Sequence, residues 1–159
     1  IRLGKGTLAA PAPAIPEGAE TRLLRDYRGT RILLAEDEPI NREITCLLLA
    51  DVGLHVDAVV DGAEALRLAG ERDYALILMD MRMPVMDGLE ATRRIRRLPN
   101  RADLPIVAMT ANAFAEDKAL CFEAGMNDFI GKPVDPAQLY ATLLKWIAIR
   151  SASRQPASP

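Results

Sequence analysis

The stretch LILMDMRMPVMDG, residues 76–88, places a run of four apolar side chains directly before the carboxylate of Asp80. The apolar run predicts a strand that is buried on both faces. The segment that follows it contains three methionines, a proline and an Asp-Gly pair. A buried strand that simply ends in a turn also explains Asp80, because Asp is a common turn residue. The other explanation is a chemical role for Asp80 at the end of the strand, and the rest of the chain decides between the two.

The overall composition is that of one soluble globular domain with flexible ends. The chain has 159 residues, of which 50% are hydrophobic and 26% are charged, which is enough to bury a core. Its formal net charge of −2 argues against wholesale binding to nucleic acid or membranes. No apolar run approaches the roughly 20 residues of a membrane span. Cys46 and Cys121 lack the spacing of a metal site or a disulfide framework, and His55 is the only histidine.

The two ends of the chain differ in composition from its centre. Residues 8–20, LAAPAPAIPEGAE, are dominated by Ala and Pro, which predicts a largely unstructured spacer. The chain begins without Met, which indicates a piece of something longer. The predicted division is a linker at 1–29, a domain at 30–149 and a disordered tail at 150–159.

Between these ends, apolar runs alternate with segments of helical period, which predicts an α/β fold of the (βα)₅ type with a parallel sheet. Ligands in such folds bind beyond the carboxyl ends of the strands. The predicted strands are Arg31–Ala35, His55–Val60, Tyr74–Met79, Ile106–Met109 and Phe129–Ile130. The predicted helices are about 40–51, 62–70, 88–98, 113–124 and 136–148.

Chemically active side chains follow four of these strands. Glu36 and Asp37 end the first strand, Asp80 the third and Thr110 the fourth, and Lys132 follows the fifth. Each residue alone also fits a structural role, such as a helix cap or an exposed turn. All of them at matching strand ends are much harder to explain by structural roles, so we expect one shared site.

The charges at the carboxyl edge of the predicted sheet, where these strands end, predict a phosphoryl-acceptor site. Two carboxylates about 5 Å apart repel by roughly 3 kcal/mol at an effective dielectric constant of 20. A divalent cation removes this repulsion, and oxygen ligands suit Mg²⁺. Lys132 adds a positive charge that can meet a phosphoryl oxygen, and Thr110 offers a hydroxyl donor. In this arrangement Asp80 is the nucleophile.

Four motifs resemble those of a response regulator receiver domain: ILLAEDEPINRE, LILMDMRMPVMDG, IVAMTANAF and DFIGKPVDPAQL. The resemblance covers about Arg31 to Ala148. It implies a flavodoxin-like fold with strand order 2-1-3-4-5. The acid pair and the TANAF segment look most like the C-terminal receiver of a hybrid sensor histidine kinase, in which case residues 1–29 would include the end of an upstream kinase domain.

The resemblance also implies a role for each site residue. Asp80 resembles the phosphorylated aspartate, and Lys132 the lysine that pairs with the phosphoryl group. Asp37 resembles the acid that binds Mg²⁺ directly, and Glu36 its partner. Asp80 and the backbone carbonyl of Arg82 would be further metal ligands.

Two further pairs of residues would control and tune the reaction. Thr110 and Phe129 resemble the switch pair, in which the hydroxyl moves toward the phosphoryl group and the ring turns inward. Phe129 lacks the hydroxyl of a tyrosine, which changes what the output face offers. Arg82 and Asn112 are the predicted tuning residues. A solvated loop arginine explains Arg82 equally well.

The function implied is Mg²⁺-dependent transfer of a phosphoryl group from phosphohistidine to Asp80, with Mn²⁺ as a possible substitute and a conformational switch as the result. The implied partners are a histidine kinase or a histidine phosphotransfer domain, in the cytoplasm, without direct contact to nucleic acid or membrane. The parent chain could be membrane-anchored and could be a hybrid kinase, but the isolated domain is a self-phosphorylating acceptor and not a turnover enzyme.

Three other functions are alternatives for this chain. A Mg²⁺-dependent phosphatase would normally carry a second acid two residues after its nucleophile, where this chain has Arg82. A flavin or nucleotide binder would have a Gly-rich or Ser/Thr-rich loop after the first strand, where this chain has EDEPIN. The remaining alternative is a receiver-like interaction module that works without phosphorylation.

Overall fold

A five-stranded parallel sheet forms the centre of the molecule, with the strand order β2-β1-β3-β4-β5. The computed structural model describes residues 18–111 and 115–154. The predicted fold class and strand order are confirmed. The strands are β1 (Arg31–Ala35), β2 (His55–Val59), β3 (Leu76–Asp80), β4 (Ile106–Thr110) and β5 (Asp128–Gly131).

Helices cover both faces of the sheet. One face carries α3, α4 and α5, and the other carries α1, α2 and α6. No helix in the described ranges combines the length and the apolar character that crossing a membrane requires. The helices are α1 (Ala19–Asp26), α2 (Pro39–Asp51), α3 (Gly62–Glu71), α4 (Gly88–Arg96), α5 (Ala115–Ala124) and α6 (Pro136–Arg154).

The two apolar cores explain why the central strands read as continuous apolar runs. Side chains of β3 alternate between the cores, so that Ile77 and Met79 face one core while Leu76 and Leu78 face the other. All five residues of β3 are buried. A strand that is covered on both faces has no solvent side, and its sequence therefore shows no polar alternation.

Local capping signals set the starts of three helices. The Asp61 carboxylate accepts a hydrogen bond from the backbone N–H of Glu64 at 2.8 Å, and Asp87 does the same for Glu90 at 2.9 Å. Both pairs have the D-x-x-E spacing of a capping box. At α6, Asp135 Oδ2 accepts from the N–H of Gln138 at 3.1 Å. Asp87 and Asp135 therefore cap α4 and α6.

The structure differs from the sequence prediction at both ends of the domain. Residues 19–26, which fall in the predicted linker, form α1, and its Leu23 is completely buried against the core shared with α6. At the other end, α6 continues to Arg154, past the predicted start of the disordered tail. Residues 1–17 and 155–159 lie outside the described residues, and the division into linker, domain and tail stays a prediction.

Candidate functional site

The carboxyl ends of the strands bring five of the predicted site residues to one cavity of about 570 Å³, namely Asp37, Asp80, Arg82, Thr110 and Lys132. Asp80 pairs with Met109 in the sheet, and Thr110 pairs with Gly131, so the ends of β3, β4 and β5 lie side by side. The cavity is lined by Asp37, Glu38, Asn41, Asp80, Met81, Arg82, Thr110, Ala111, Lys132 and Pro133.

Three carboxylates lie close together here, of which Asp37 and Asp80 line the cavity and Glu36 does not. Glu36, Asp37 and Asp80 each offer an oxygen, and these oxygens all lie within 4.8 Å of one another. Glu36 is fully buried and Asp80 is 5% exposed, whereas Asp37 is exposed at the cavity wall. Hard oxygen donors, one of them open to solvent, are a suitable ligand set for Mg²⁺, which retains several waters. The residues present therefore fit a magnesium ion.

Lys132 joins two of the three acids. Its Nζ lies 2.9 Å from Glu36 Oε1 and 3.0 Å from Asp80 Oδ2. Its backbone N–H donates to the carbonyl oxygen of Thr110 at 2.8 Å, which fixes the start of the loop after β5 against β4. Burial lowers the pKa of Lys132, but the hydrogen bonds to Glu36 and Asp80 outweigh burial and raise the pKa overall. The lysine is therefore held in its charged form between the two acids.

Burial is the largest influence on the pKa of Asp80. It raises the pKa of the Asp80 carboxyl, and the neighbouring Glu36 raises the pKa further, while Lys132 acts in the opposite direction. The Oδ1 atom of Asp80 also accepts a hydrogen bond from the backbone N–H of Arg82 at 3.3 Å. Asp80 is therefore a desolvated carboxylate with a cation on one oxygen and a peptide N–H on the other.

Close packing below Asp80 explains the Asp-Gly pair that ends the stretch. The N–H of Gly88 donates to the carbonyl oxygen of Met81 at 3.0 Å. A Cβ atom at position 88 would collide with the backbone carbonyl of Asp80, so only glycine fits there. Asp87 points to the start of α4, where it caps the helix, and it does not line the cavity. The second acid of the stretch is therefore structural.

Comparison with known proteins identifies the family. The family model described as "Response regulator receiver domain" matches residues 32–144. The chain belongs to this family. The receiver is 40% identical over 133 residues to the sensor protein GacS of Pseudomonas syringae pv. syringae, a match that covers 82% of this chain and 14% of that protein. It is 36% identical over 115 residues to the histidine-protein kinase BarA of Escherichia coli K12, a match that covers 72% of this chain and 12% of that protein.

Two solved receiver structures extend the comparison. One is the receiver domain of the sensor histidine kinase PA1611 from Pseudomonas aeruginosa PAO1, with a magnesium ion coordinated in its active site cleft. It is 45% identical, with a TM-score of 0.72, and the match covers 76% of this chain and 98% of that one. The other is Ssk1 of Saccharomyces cerevisiae in complex with the phosphotransfer protein Ypd1, at 27% identity, a TM-score of 0.71 and coverage of 79% and 94%.

The predicted switch residues of the receiver lie at neighbouring strands. Thr110 ends β4 and is 5% exposed, and Phe129 lies half-buried in β5 beside it. The Lys118 Nζ of α5 stands 4.6 Å from the centroid of the Phe129 ring, a cation–π contact. Their roles in switching stay predictions.

The two predicted tuning positions differ in what the structure describes. Arg82 is exposed and lines the same cavity as Asp80. Asn112 lies outside the described residues. The ligand role of the Arg82 carbonyl stays a prediction.

Sequence reasoning missed two cations that contact site residues. Lys118 of α5 reaches the Phe129 ring in β5, and Arg42 donates to backbone carbonyls of the acidic turn before α2. A lysine or arginine on a helix reads as an ordinary surface residue. The spacing of five residues between Asp37 and Arg42 gave a weak signal, because both flank the start of one helix.

Proposed function

We propose that this receiver accepts a phosphoryl group from phosphohistidine on the carboxylate of Asp80. The observation that carries the proposal is the buried Asp80 carboxylate with Lys132 Nζ at 3.0 Å, within 4.8 Å of two further acids and open to a cavity. Stability alone gives no reason to crowd three acids, because buried charges cost free energy unless they are well paired. A reaction that brings in both a cation and a phosphoryl group does give such a reason.

The transfer is a substitution at phosphorus. A carboxylate oxygen of Asp80 attacks the phosphorus atom, and the phosphorus–nitrogen bond to the donor imidazole breaks. The imidazole leaves with the bonding electron pair and takes up a proton from solvent. The product is an acyl phosphate. Lys132, which is held in its charged form by Glu36, is close enough to meet a phosphoryl oxygen, and Thr110 offers a hydroxyl to another.

A magnesium ion would be held by the side chains of Glu36, Asp37 and Asp80, with the Arg82 carbonyl as a further ligand. When bound, it neutralises charge on the transferring group. The related PA1611 receiver carries magnesium in its active site cleft, which supports the same ion here. Mn²⁺ prefers the same oxygen ligands and is the expected substitute.

The proposed partner is a histidine phosphotransfer domain or the histidine-bearing domain of a kinase. Beside the cavity, Ile40, Ile44 and Leu47 of α2 are 68%, 44% and 58% exposed. Their i, i+4, i+7 spacing puts them on one stripe of the helix, next to Asn41 at the cavity wall. The related Ssk1 receiver forms a complex with the phosphotransfer protein Ypd1, which supports a phosphotransfer domain as the partner, and the exposed apolar stripe is its proposed docking surface. We also propose that the domain lies in the cytoplasm, because the histidine kinase that supplies the phosphoryl group uses cytoplasmic ATP.

After transfer, the added charge of about −1.5 to −2 would draw Thr110 toward the phosphoryl group and allow Phe129 to turn inward. This shifts a two-state element around α5 and β5. The domain is then an acceptor and not a turnover enzyme. The chain spans 14% of GacS and 12% of BarA, so a hybrid kinase as the parent protein is part of the proposal.

The test is incubation with acetyl phosphate, with and without Mg²⁺, followed by intact-mass measurement. We expect a Mg²⁺-dependent gain of one phosphoryl group, which Asp80→Asn abolishes. Asp87→Asn is the matched control, because Asn caps a helix as well as Asp does and the variant should still gain the group. No gain in the unmodified chain would leave the interaction module as the better explanation. A phosphoryl gain that persists in Asp80→Asn would refute Asp80 as the acceptor.

A further inference from the structure

We propose that Arg42 is a positioning residue that fixes the acidic turn of Glu36, Asp37 and Glu38 for magnesium binding. The inference rests on the proposed function. Arg42 Nη1 donates to the carbonyl oxygen of Glu36 at 3.0 Å and to that of Asp37 at 3.3 Å. Arg42 is half-buried and does not line the cavity. It therefore acts on the turn from behind, without touching the metal position.

Asp37 is the acid that needs this support. The carboxylate of Glu36 is held on both sides, by Lys132 and by the N–H of Glu38 at 3.2 Å. That of Asp80 is held in the same way by Lys132 and a peptide N–H. In the part of the chain that the structure describes, no hydrogen bond reaches the carboxylate of Asp37. Its place at the cavity wall therefore depends on its backbone, and Arg42 holds the carbonyls on that backbone.

Helix stability does not explain Arg42 at this position. It is the fourth residue of α2, whose first residue is Pro39. The N-terminal turn is the positive end of the helix dipole, where a cation is unfavourable. The free N–H groups of the turn are already capped by Glu38, whose carboxylate accepts from Ile40 and Asn41. The contacts of Arg42 with the acidic turn are what compensate for its unfavourable place.

If Arg42 were only a nearby positive charge, its replacement would change the Mg²⁺ affinity in the opposite direction. A cation that only stands near the site repels Mg²⁺, so its removal would tighten metal binding. A residue that orients the ligands does the reverse, because its removal lets the ligands move. Arg42→Met removes the charge and keeps most of the stem. Arg42→Lys keeps the charge and loses the planar guanidinium that reaches both carbonyls.

The experiment is titration of the folded chain with Mg²⁺ alone, by isothermal calorimetry, without a phosphodonor. We expect both variants to bind Mg²⁺ about 10-fold more weakly, the lower end of the range for residues that orient metal ligands. Arg67→Met is the matched control, because Arg67 is exposed on α3 and pairs with Glu71; its affinity should equal that of the unmodified chain. Tighter binding by Arg42→Met, or unchanged binding by both Arg42 variants, would overturn the inference.

The same titration separates this inference from the proposed function. An unmodified chain that binds no Mg²⁺ refutes the metal site and Arg42's role together. An unmodified chain that binds Mg²⁺ and gains a phosphoryl group, with Arg42 variants that bind equally well, refutes only the role of Arg42. Thermal unfolding without metal checks that each variant is folded, and Arg42→Lys alone decides the matter if Arg42→Met does not fold.

Discussion

Replacement of Lys132 by Met tests how the acidic site is stabilised before any metal binds. Lys132 Nζ lies 2.9 Å and 3.0 Å from oxygens of Glu36 and Asp80, so each attraction is about 6 kcal/mol at an effective dielectric constant of 20. The two acids repel each other by at least about 3 kcal/mol at their separation. Without the lysine, this repulsion remains and nothing offsets the burial of the charges.

The net effect on stability is smaller than these pair energies, because one acid can take up a proton. Removal of one partner from a buried ion pair costs about 3 to 5 kcal/mol. We expect the lower end, about 3 kcal/mol, since the Lys132 side chain retains 14% exposure to solvent. With a slope of about 2 kcal/mol per molar urea, the unfolding midpoint falls by about 1.5 M. A domain of ordinary stability, about 5 to 15 kcal/mol, still folds.

Magnesium should then restore more stability to Lys132→Met than it adds to the unmodified chain. The variant offers the same carboxylates without the competing positive charge, so it binds the cation more tightly, and binding to the folded state alone raises stability. The assay is urea unfolding followed by far-UV circular dichroism, at several Mg²⁺ concentrations. Lys145→Met is the control, because Lys145 is exposed on α6 and loses only its contact with the Trp146 ring at 5.1 Å, which is worth about 1 kcal/mol or less.

Two results would refute this reasoning. If Lys132→Met is as stable as the unmodified chain without metal, Lys132 does not compensate the buried acids. If Mg²⁺ stabilises the variant less than the unmodified chain, the cation does not take over the electrostatic role of the lysine.

Three further predictions concern the ends of the domain and the loop after Asp80. Leu23→Ala should lower the free energy of unfolding by about 3 kcal/mol, because Leu23 is fully buried; urea unfolding measures this, and an unchanged midpoint would mean that α1 is not part of the folded unit. Val85→Asn should raise stability by about 1 kcal/mol, because Val85 is 84% exposed and has a φ of 70°, which costs a β-branched residue more than Asn; a lower melting temperature would contradict it. Arg82→Ala should shorten the half-life of the acyl phosphate about 2-fold, the worth of a weak exposed charge contact; identical half-lives remove the tuning role.

The sequence predicted the sheet and the site for one shared reason. Strands that are covered on both faces read as apolar runs, and a parallel sheet brings the ends of those runs to one rim. The carboxylate after LILM and the acids after ILLA therefore had to lie close together if both runs were parallel neighbours. The order of the strands was a different matter. It came from the resemblance to receivers, because the apolar runs alone do not say which strand pairs with which.

The missed features depend on contacts between distant parts of the chain. The segment that contains α1 follows an Ala/Pro-rich stretch, and composition alone gave no sign that Leu23 would be buried. Its burial requires the apolar surface that α6 supplies more than a hundred residues later. The end of α6 was missed for a local reason: residues 150–154 contain no Gly or Pro to stop the helix, but their composition was interpreted as that of a disordered tail. A Ser-rich composition was a weaker guide than the absence of a stop signal.

The arrangement of the acids explains why Asp80, and not its neighbour Asp87, is the better candidate for the phosphoacceptor. Asp87 has its carboxylate occupied by a helix N–H, a contact that any folded state of α4 needs. The carboxylate of Asp80 is held mainly by Lys132, a flexible cation that can follow a phosphoryl group without disturbing the backbone. Glu36 keeps Lys132 charged during that change. A site of this kind can exchange the partner of its nucleophile while the sheet and the helix caps around it stay as they are.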